Sequence, residues 1–169
     1  MRSGYSPLQK SLHWLTVLLV VAQWWTSAAI YRTHAHDPFG VGPDPIDLIE
    51  HKLHIYGGLL ILGLTILRLA VRWRTGVPAL PAGLSLASGR LAHWGHAGLY
   101  LVLFGLTATG VVTSYFWFGM GKVHELLVKG LYGLVFLHVA ATIWHEFVDR
   151  IAILHRMAPR AFTRSDPVK

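Results

Sequence analysis

Histidine is where the chemistry of this chain has to lie. Its 169 residues hold 11 histidines against 8 aspartates and glutamates together, and no cysteine. The lack of cysteine removes disulfides, iron–sulfur clusters, thiol catalysis and covalent cofactor attachment through C-x-x-C-H. What remains is imidazole, which titrates near neutral pH and is the commonest metal ligand. The spacing is informative. His124 and His138 stand 14 residues apart, which on an α-helix is close to four turns, so both face one way at heights differing by about 21 Å. His54 and Arg68 repeat that interval of 14. His13 lies near the start of the chain, His51 precedes His54, His93 and His96 form a close pair, and His145 follows His138 by seven residues. His34, His36 and His155 complete the set.

The elements that carry these side chains are apolar. The chain is 53% hydrophobic and 14% charged, whereas soluble domains carry about 25% charged residues. Four apolar stretches cover about residues 11–31, 52–73, 91–115 and 123–148, each near the roughly 20 residues needed to cross a bilayer. Between them lie breaker-rich connectors: 33–50 with its prolines and four acids, 75–90 with Pro, Gly and Ser, and the short 116–123 (FWFGMGKV). No internal repeat or low-complexity tract is seen. The chain reads as an all-α, integral membrane four-helix bundle forming a single domain over residues 1–169. The first stretch has a positive start, and Thr26-Ser27-Ala28 resembles a cleavage site. The run is long for a signal core and contains His13, so it is expected to stay as a helix.

Lysine and arginine set the expected topology. Arg2, Lys10, Arg68, Arg72, Arg74, Arg90, Arg150, Arg156, Arg160, Arg164 and Lys169 fall on one side, and Arg32, Lys52, Lys122 and Lys129 on the other. Both termini are therefore expected in the cytoplasm of a multi-pass bacterial inner-membrane protein. Trp14, Trp73, Trp94 and Trp144 near the inner interface and Trp117 near the outer one match an aromatic belt. The net charge of +7 thus reads as topology and lipid contact, and no nucleic-acid partner is expected.

Titratable groups inside a bilayer are costly and mark function. His124 and His138 of the fourth span ask for partners at matching depth, and the topology supplies His54 in the outer half and His13 in the inner half. The pairs His54–His124 and His13–His138 suit two b-type haems, one per leaflet, each iron held by two imidazoles and committed to electron transfer. A zinc site is the rival reading. It wants clustered ligands, and here Glu125 and Glu146 are carboxylates beside His124 and His145 in sequence. A haem-free, histidine-rich metal transporter is the corresponding function. Glycines at 57, 58, 63, 95, 98, 105, 110, 130 and 133 fit either a wide ring between helices or ordinary helix packing. Arg68, at the inner level, is expected to bind a haem propionate, a guanidinium being a bidentate partner for carboxylate, or else to snorkel to the interface. His96 and His145 are candidates for a quinone pocket near the inner surface, because quinone reduction takes protons as well as electrons.

The ordered motifs resemble the bacterial cytochrome b561 family: YSPLQKSLHWL around His13, H-x-x-x-G with a later arginine (His54, Gly58, Arg68), L-A-H-x-G-H (His93, His96), His124 and His138 followed by His145, and R-M-A-P-R at Arg156 to Arg160. The resemblance covers nearly the whole chain. It implies a four-helix di-haem cytochrome with His13, His54, His124 and His138 as axial iron ligands. One branch of that family oxidises superoxide at the outer face and reduces ubiquinone at the inner face. For such a superoxide:ubiquinone oxidoreductase, Lys52, Lys122 and Lys129 would form an anion funnel beside the outer haem. The 116–123 connector is shorter here than in that branch, and Asp37, Asp44, Asp47 and Glu50 make the first outer loop acidic. Those acids suit the alternative, an electron-transfer subunit docking a periplasmic redox protein and linked to the quinone pool, since complementary charge steers partners.

Overall fold

The computed structural model describes residues 4–35, 37 and 40–158. Arg2, Arg160, Arg164 and Lys169 of the charge pattern, the end of the R-M-A-P-R motif, and His36 lie outside the described residues. Four long helices dominate: α1 (Pro7–His34), α2 (Pro45–Thr75), α3 (Leu86–Tyr115) and α4 (Gly121–Phe147). A 3-10 turn (Phe118–Met120) leads into α4, and a four-residue helical turn, α5 (Leu154–Met157), follows it. Each long helix is long and apolar enough to cross a membrane, and no strand occurs among the described residues.

The helices run past the apolar windows because polar residues start them. Ser6 and Gln9 form a reciprocal capping box ahead of Pro7. The Asp44 carboxylate accepts from Ile46 N at 2.7 Å, with Pro45 in the first helical position. Ser85 accepts from Ser88 N at 3.1 Å. At the other end of α2, Gly76 takes the positive φ of 69° that ends the helix.

Within the bundle, α1 lies along α2 and α3 along α4, while α2 meets α3 and joins the two hairpins. The backbones of α1 and α4 make no extended contact. The buried apolar cluster is small: Ile61, Leu103 and Leu131, with Leu19, Val20, Leu99, Val102 and Leu106 packed on it. Outward side chains are strongly exposed, Trp73 to 86% and Trp94 to 71%. That inversion is what a lipid-facing surface requires, and the chain is a multi-pass membrane protein.

The first and last described segments meet at one end of the bundle, called here the tail end. Lys10 Nζ donates to Ala158 O at 3.0 Å, Trp14 Nε1 to Met157 O at 2.9 Å, and Arg156 to Ala79 O at 2.7 Å. Glu146 accepts from the backbone of Ile153 and Leu154 at 2.6 and 2.8 Å. The 151–158 segment is thus strapped across α1 and the α2–α3 connector. At the far end, Arg32 binds both Asp47 at 2.6 Å and Glu50 at 3.0 Å, closing α1 onto α2.

Candidate functional site: two histidine levels in the bundle

Seven-residue steps build the site. Along α2 the sequence places His54, Ile61 and Arg68 at that interval, and along α4 His124, Leu131 and His138. On α3 it places His96, Leu103 and Gly110, and on α1 His13 and Val20. Seven residues are nearly two turns, about 10.5 Å along the axis, so each step returns to the same face. The middle member of every series belongs to the buried apolar cluster or packs on it. An apolar septum therefore separates a histidine level near the far end from a second one near the tail end.

At the far level, His54 and His124 are held alike. His54 Nδ1 meets Thr26 Oγ1 at 3.2 Å, and that hydroxyl donates to Ala22 O at 2.9 Å. His124 Nδ1 meets Thr109 Oγ1 at 3.0 Å, and that hydroxyl donates to Gly105 O at 2.7 Å. A hydroxyl has one proton. Since each threonine spends its own on a helix carbonyl, each imidazole must donate through Nδ1, which leaves the Nε2 lone pair unused. A Cβ on Gly110 would come within 3.3 Å of His124 Cε1, so the glycine lets α3 close on the ring. Gln23 lies against Gly57 and Gly58 near His54. One turn beyond Thr109, Thr113 Oγ1 is buried with no hydrogen-bond partner among the described residues, whereas buried polar atoms normally have one.

At the tail-end level, Arg68 Nη2 donates to His13 Nδ1 at 3.2 Å, and its guanidinium lies 5.6 Å from the centre of the Tyr100 ring. His96 and His138 meet edge to face at 5.2 Å between centroids. His96 Nδ1 donates to Ala92 O at 2.6 Å. Arg68 with His13, and His96 with His138, thus bring four residues named from sequence into two contacts at this level. Guanidinium only donates. His13 therefore accepts through Nδ1 and carries its proton on Nε2, the reverse of His54 and His124. His145 sits apart from this cluster, its Nδ1 2.6 Å from Asp149 Oδ2 at the tail-end surface.

Of the three lysines near the far level, Lys129 pairs with Glu125 at 2.9 Å. Lys52 and Lys122 are exposed and make no ion pair among the described residues. The four acids between residues 37 and 50 are occupied by their own fold: Asp37 accepts from Gly42 N at 2.6 Å, Asp44 caps α2, and Asp47 and Glu50 share Arg32. The glycines divide as well. Gly98 and Gly105 face Leu134 and Leu127 of α4 as packing positions, whereas Gly63, Gly95, Gly130 and Gly133 face open space.

Thr26 and Thr109 were not legible as site residues in the sequence. Each lies far along the chain from the histidine it orients, and a threonine in an apolar helix normally only bonds its own i−4 carbonyl.

The donor set fits haem. Among the described residues no three His, Asp or Glu side chains converge as a metal-holding group. Imidazoles that come in pairs serve an iron whose other four donors are porphyrin nitrogens. At the far level the Nε2 lone pairs of His54 and His124 are ready to bind, and the proton on Nδ1 is anchored as ligating histidines require.

The chain is 28% identical over 182 residues to the probable superoxide oxidase CybB of Yersinia pestis, with 95% of this chain and 98% of that protein covered. It is 29% identical over 161 residues to cytochrome b562 of Cereibacter sphaeroides, with 93% and 97% covered. The profile of the family described as prokaryotic cytochrome b561 matches residues 4–160. The chain belongs to the prokaryotic cytochrome b561 family, whose members are haem b proteins of membrane electron transfer.

Proposed function

We propose that this protein carries electrons across the bacterial inner membrane, taking them from superoxide at the outer face and delivering them to ubiquinone at the inner face. The single observation that carries the reading is the pair of histidine levels separated by the Ile61–Leu103–Leu131 septum. Haem, when bound, supplies at each level an iron centre that takes up and gives up one electron.

The chain's own residues do the rest. His54 and His124 would hold the outer group through Nε2, and Thr26 and Thr109 would fix their rings. His13 and His138 would hold the inner one. For His13 to ligate through Nε2 its proton must move to Nδ1, so Arg68 must turn from that atom. A propionate is the acceptor its guanidinium would turn to. The orientation follows the positive-inside rule: the tail end, with Lys10, Arg72, Arg74 and Arg156, faces the cytoplasm. Superoxide gives up one electron and leaves as dioxygen, and two such electrons with two protons reduce ubiquinone to ubiquinol. His145 and Asp149, hydrogen-bonded at the tail-end surface, would pass protons in, and His96, packed against His138, would serve the quinone pocket. Lys52 and Lys122 draw the anion, with Lys129 weakened by Glu125. The acids that would repel superoxide are turned to capping and ion pairs. The name of the Yersinia pestis relative points the same way.

The second reading is a quinone-linked electron-transfer subunit with a periplasmic redox partner. The name of the Cereibacter sphaeroides relative carries no substrate and is compatible with it. One experiment separates the two. The detergent-purified protein is assayed for haem per chain, then for superoxide consumption with a ubiquinone analogue. Two haems, about one in His124→Ala, and quinone-dependent superoxide turnover support the proposal. Two haems without superoxide turnover leave the docking subunit, and no haem overturns both.

A further inference from the structure

Positive charge without a counter-charge gathers at the tail end. Lys10, Arg72, Arg74, Arg90, Arg150 and Arg156 all fall there. The acids of that end among the described residues are already engaged: Glu146 accepts the backbone N–H groups of Ile153 and Leu154, and Asp149 is bound to His145. Amid this charge lies a cavity of about 530 Å3, lined by Gly4 and Gln9 at the start of α1 and by residues 75–79 at the end of α2 and beyond it. We propose that this cavity binds the phosphate of an anionic phospholipid from the leaflet on the tail side. The inference does not rest on the proposed superoxide activity.

Three observations carry it. The first is the donor set. Arg156 donates to Ala79 O in the cavity wall at 2.7 Å. Arg74 immediately precedes the lining residue Thr75, is exposed, and makes no hydrogen bond or ion pair among the described residues. Lys10 follows the lining residue Gln9 and has carbonyls, of His155 and Ala158, as its partners rather than acids. The backbone N–H groups of Val77 and Ala79 donate to nothing among the described residues. Guanidinium, ammonium and unspent N–H groups are what phosphate oxygens accept from. The second is fixation. Gln9 Nε2 donates to Thr75 Oγ1 and to Gly76 O, both at 3.1 Å, so the two walls are tied together. The third is depth. The cavity lies at the ends of two membrane-spanning helices, beside the exposed Trp73, and tryptophan in that setting marks the headgroup level. Leu8, Val77 and Leu80 are exposed around it and offer acyl chains an apolar surface.

The charge of the site selects its lipid. A phosphatidylcholine headgroup also carries phosphate, but its quaternary ammonium cancels that charge and meets only cations here. A phosphatidylglycerol headgroup keeps its net negative charge, and basic residues at a membrane surface favour such lipids. Free phosphate has no chains to cover Leu8, Val77 and Leu80, so the lipid is the occupant that uses both the charge and the apolar surface.

The test is native mass spectrometry of the full chain, purified in detergent with its haem, after addition of phosphatidylglycerol or of phosphatidylcholine with the same acyl chains. The expected result is one phosphatidylglycerol held per chain, at least about tenfold more tightly than phosphatidylcholine. Arg74→Gln weakens that binding about fivefold, the effect of one basic residue near an anionic surface, and Arg156→Gln by at least as much. Arg150→Asn removes a charge from the same end outside the cavity, and asparagine accepts the positive φ of 54° found there, so it leaves binding unchanged. Far-UV circular dichroism confirms that each variant keeps its helices. Arg74→Gln, exposed near a helix end, serves if Arg156→Gln does not fold. Equal affinity for the two lipids, or equal losses in Arg150→Asn and Arg74→Gln, overturns the proposal.

Discussion

A single proton decides what each of these histidines can do. At His54 and His124 the threonine hydroxyls force Nδ1–H and free Nε2. At His13 the Arg68 guanidinium forces the opposite tautomer. In the proposed reading, His54 and His124 are thus pre-set by the protein to ligate through Nε2, whereas His13 depends on what Arg68 binds. Two predictions follow from that difference. Thr109→Val keeps the shape and removes the acceptor, so His124 Nδ1–H is left unpaired. Haem affinity at the outer level should fall about 10- to 100-fold, read as a lower haem content per chain after extensive detergent washing, while Thr109→Ser should hold it near wild type. Arg68→Leu should remove the inner haem signal from the reduced-minus-oxidised spectrum, and Arg68→Lys should restore it only in part, since an ammonium lacks the planar fork. An unchanged spectrum in Arg68→Leu would make Arg68 an interfacial residue only.

At the scale of helices the seven-residue register explains why two levels exist at all. It puts Ile61, Leu103 and Leu131 halfway between the histidine rows, and it sets Gly110 against His124. Gly110→Val adds branched carbons where even a Cβ stands 3.3 Å from Cε1. It should therefore disturb the outer haem spectrum and leave the inner one in place, which potentiometric titration resolves. Loss of both signals would mean that the helix pair itself had failed. This register also marks how far the sequence could be read. Composition and the 14-residue intervals reveal four helices and the levels of His13, His54, His124, His138 and Arg68, because burial and helical periodicity are local properties of the chain. The helix ends are less visible. Pro45 looks like a breaker until Asp44 is seen as its cap, so α2 starts seven residues before its apolar window. Partners that come from different helices are not visible at all: Thr26 with His54, Thr109 with His124, and Arg32 with Asp47 and Glu50. Their meeting depends on how α1 rotates against α2 and α3 against α4, which no run of neighbours encodes. His145 shows the same limit. Grouped with His96 from sequence, it takes Asp149 as its partner.

For the molecule as a whole, charge placement is what distinguishes the two functional readings. The far end carries Arg32, Lys52, Lys122 and Lys129 against Asp37, Asp44, Asp47, Glu50 and Glu125, so its formal balance is close to neutral and slightly negative. Balance alone would speak for docking a basic partner. The pairing changes that conclusion, because Arg32 and Lys129 are matched to acids while Lys52 and Lys122 are not. A small anion samples the field within about 10 Å, the screening length at 0.1 M salt, and so responds to the two unpaired lysines near His54 and His124. A protein partner averages over the whole face. Lys52→Glu with Lys122→Glu should therefore lower the second-order rate constant for superoxide by about tenfold at low ionic strength, a modest share of what electrostatic steering can supply. The difference from wild type should shrink as salt is raised. Haem content and reduction from the quinol side, at the opposite end of the bundle, should not change. Stopped-flow decay of superoxide at two salt concentrations makes the measurement. A rate indifferent to both lysines would remove the funnel and shift the outer face toward the docking reading, in which the added negative charge should tighten a basic redox partner.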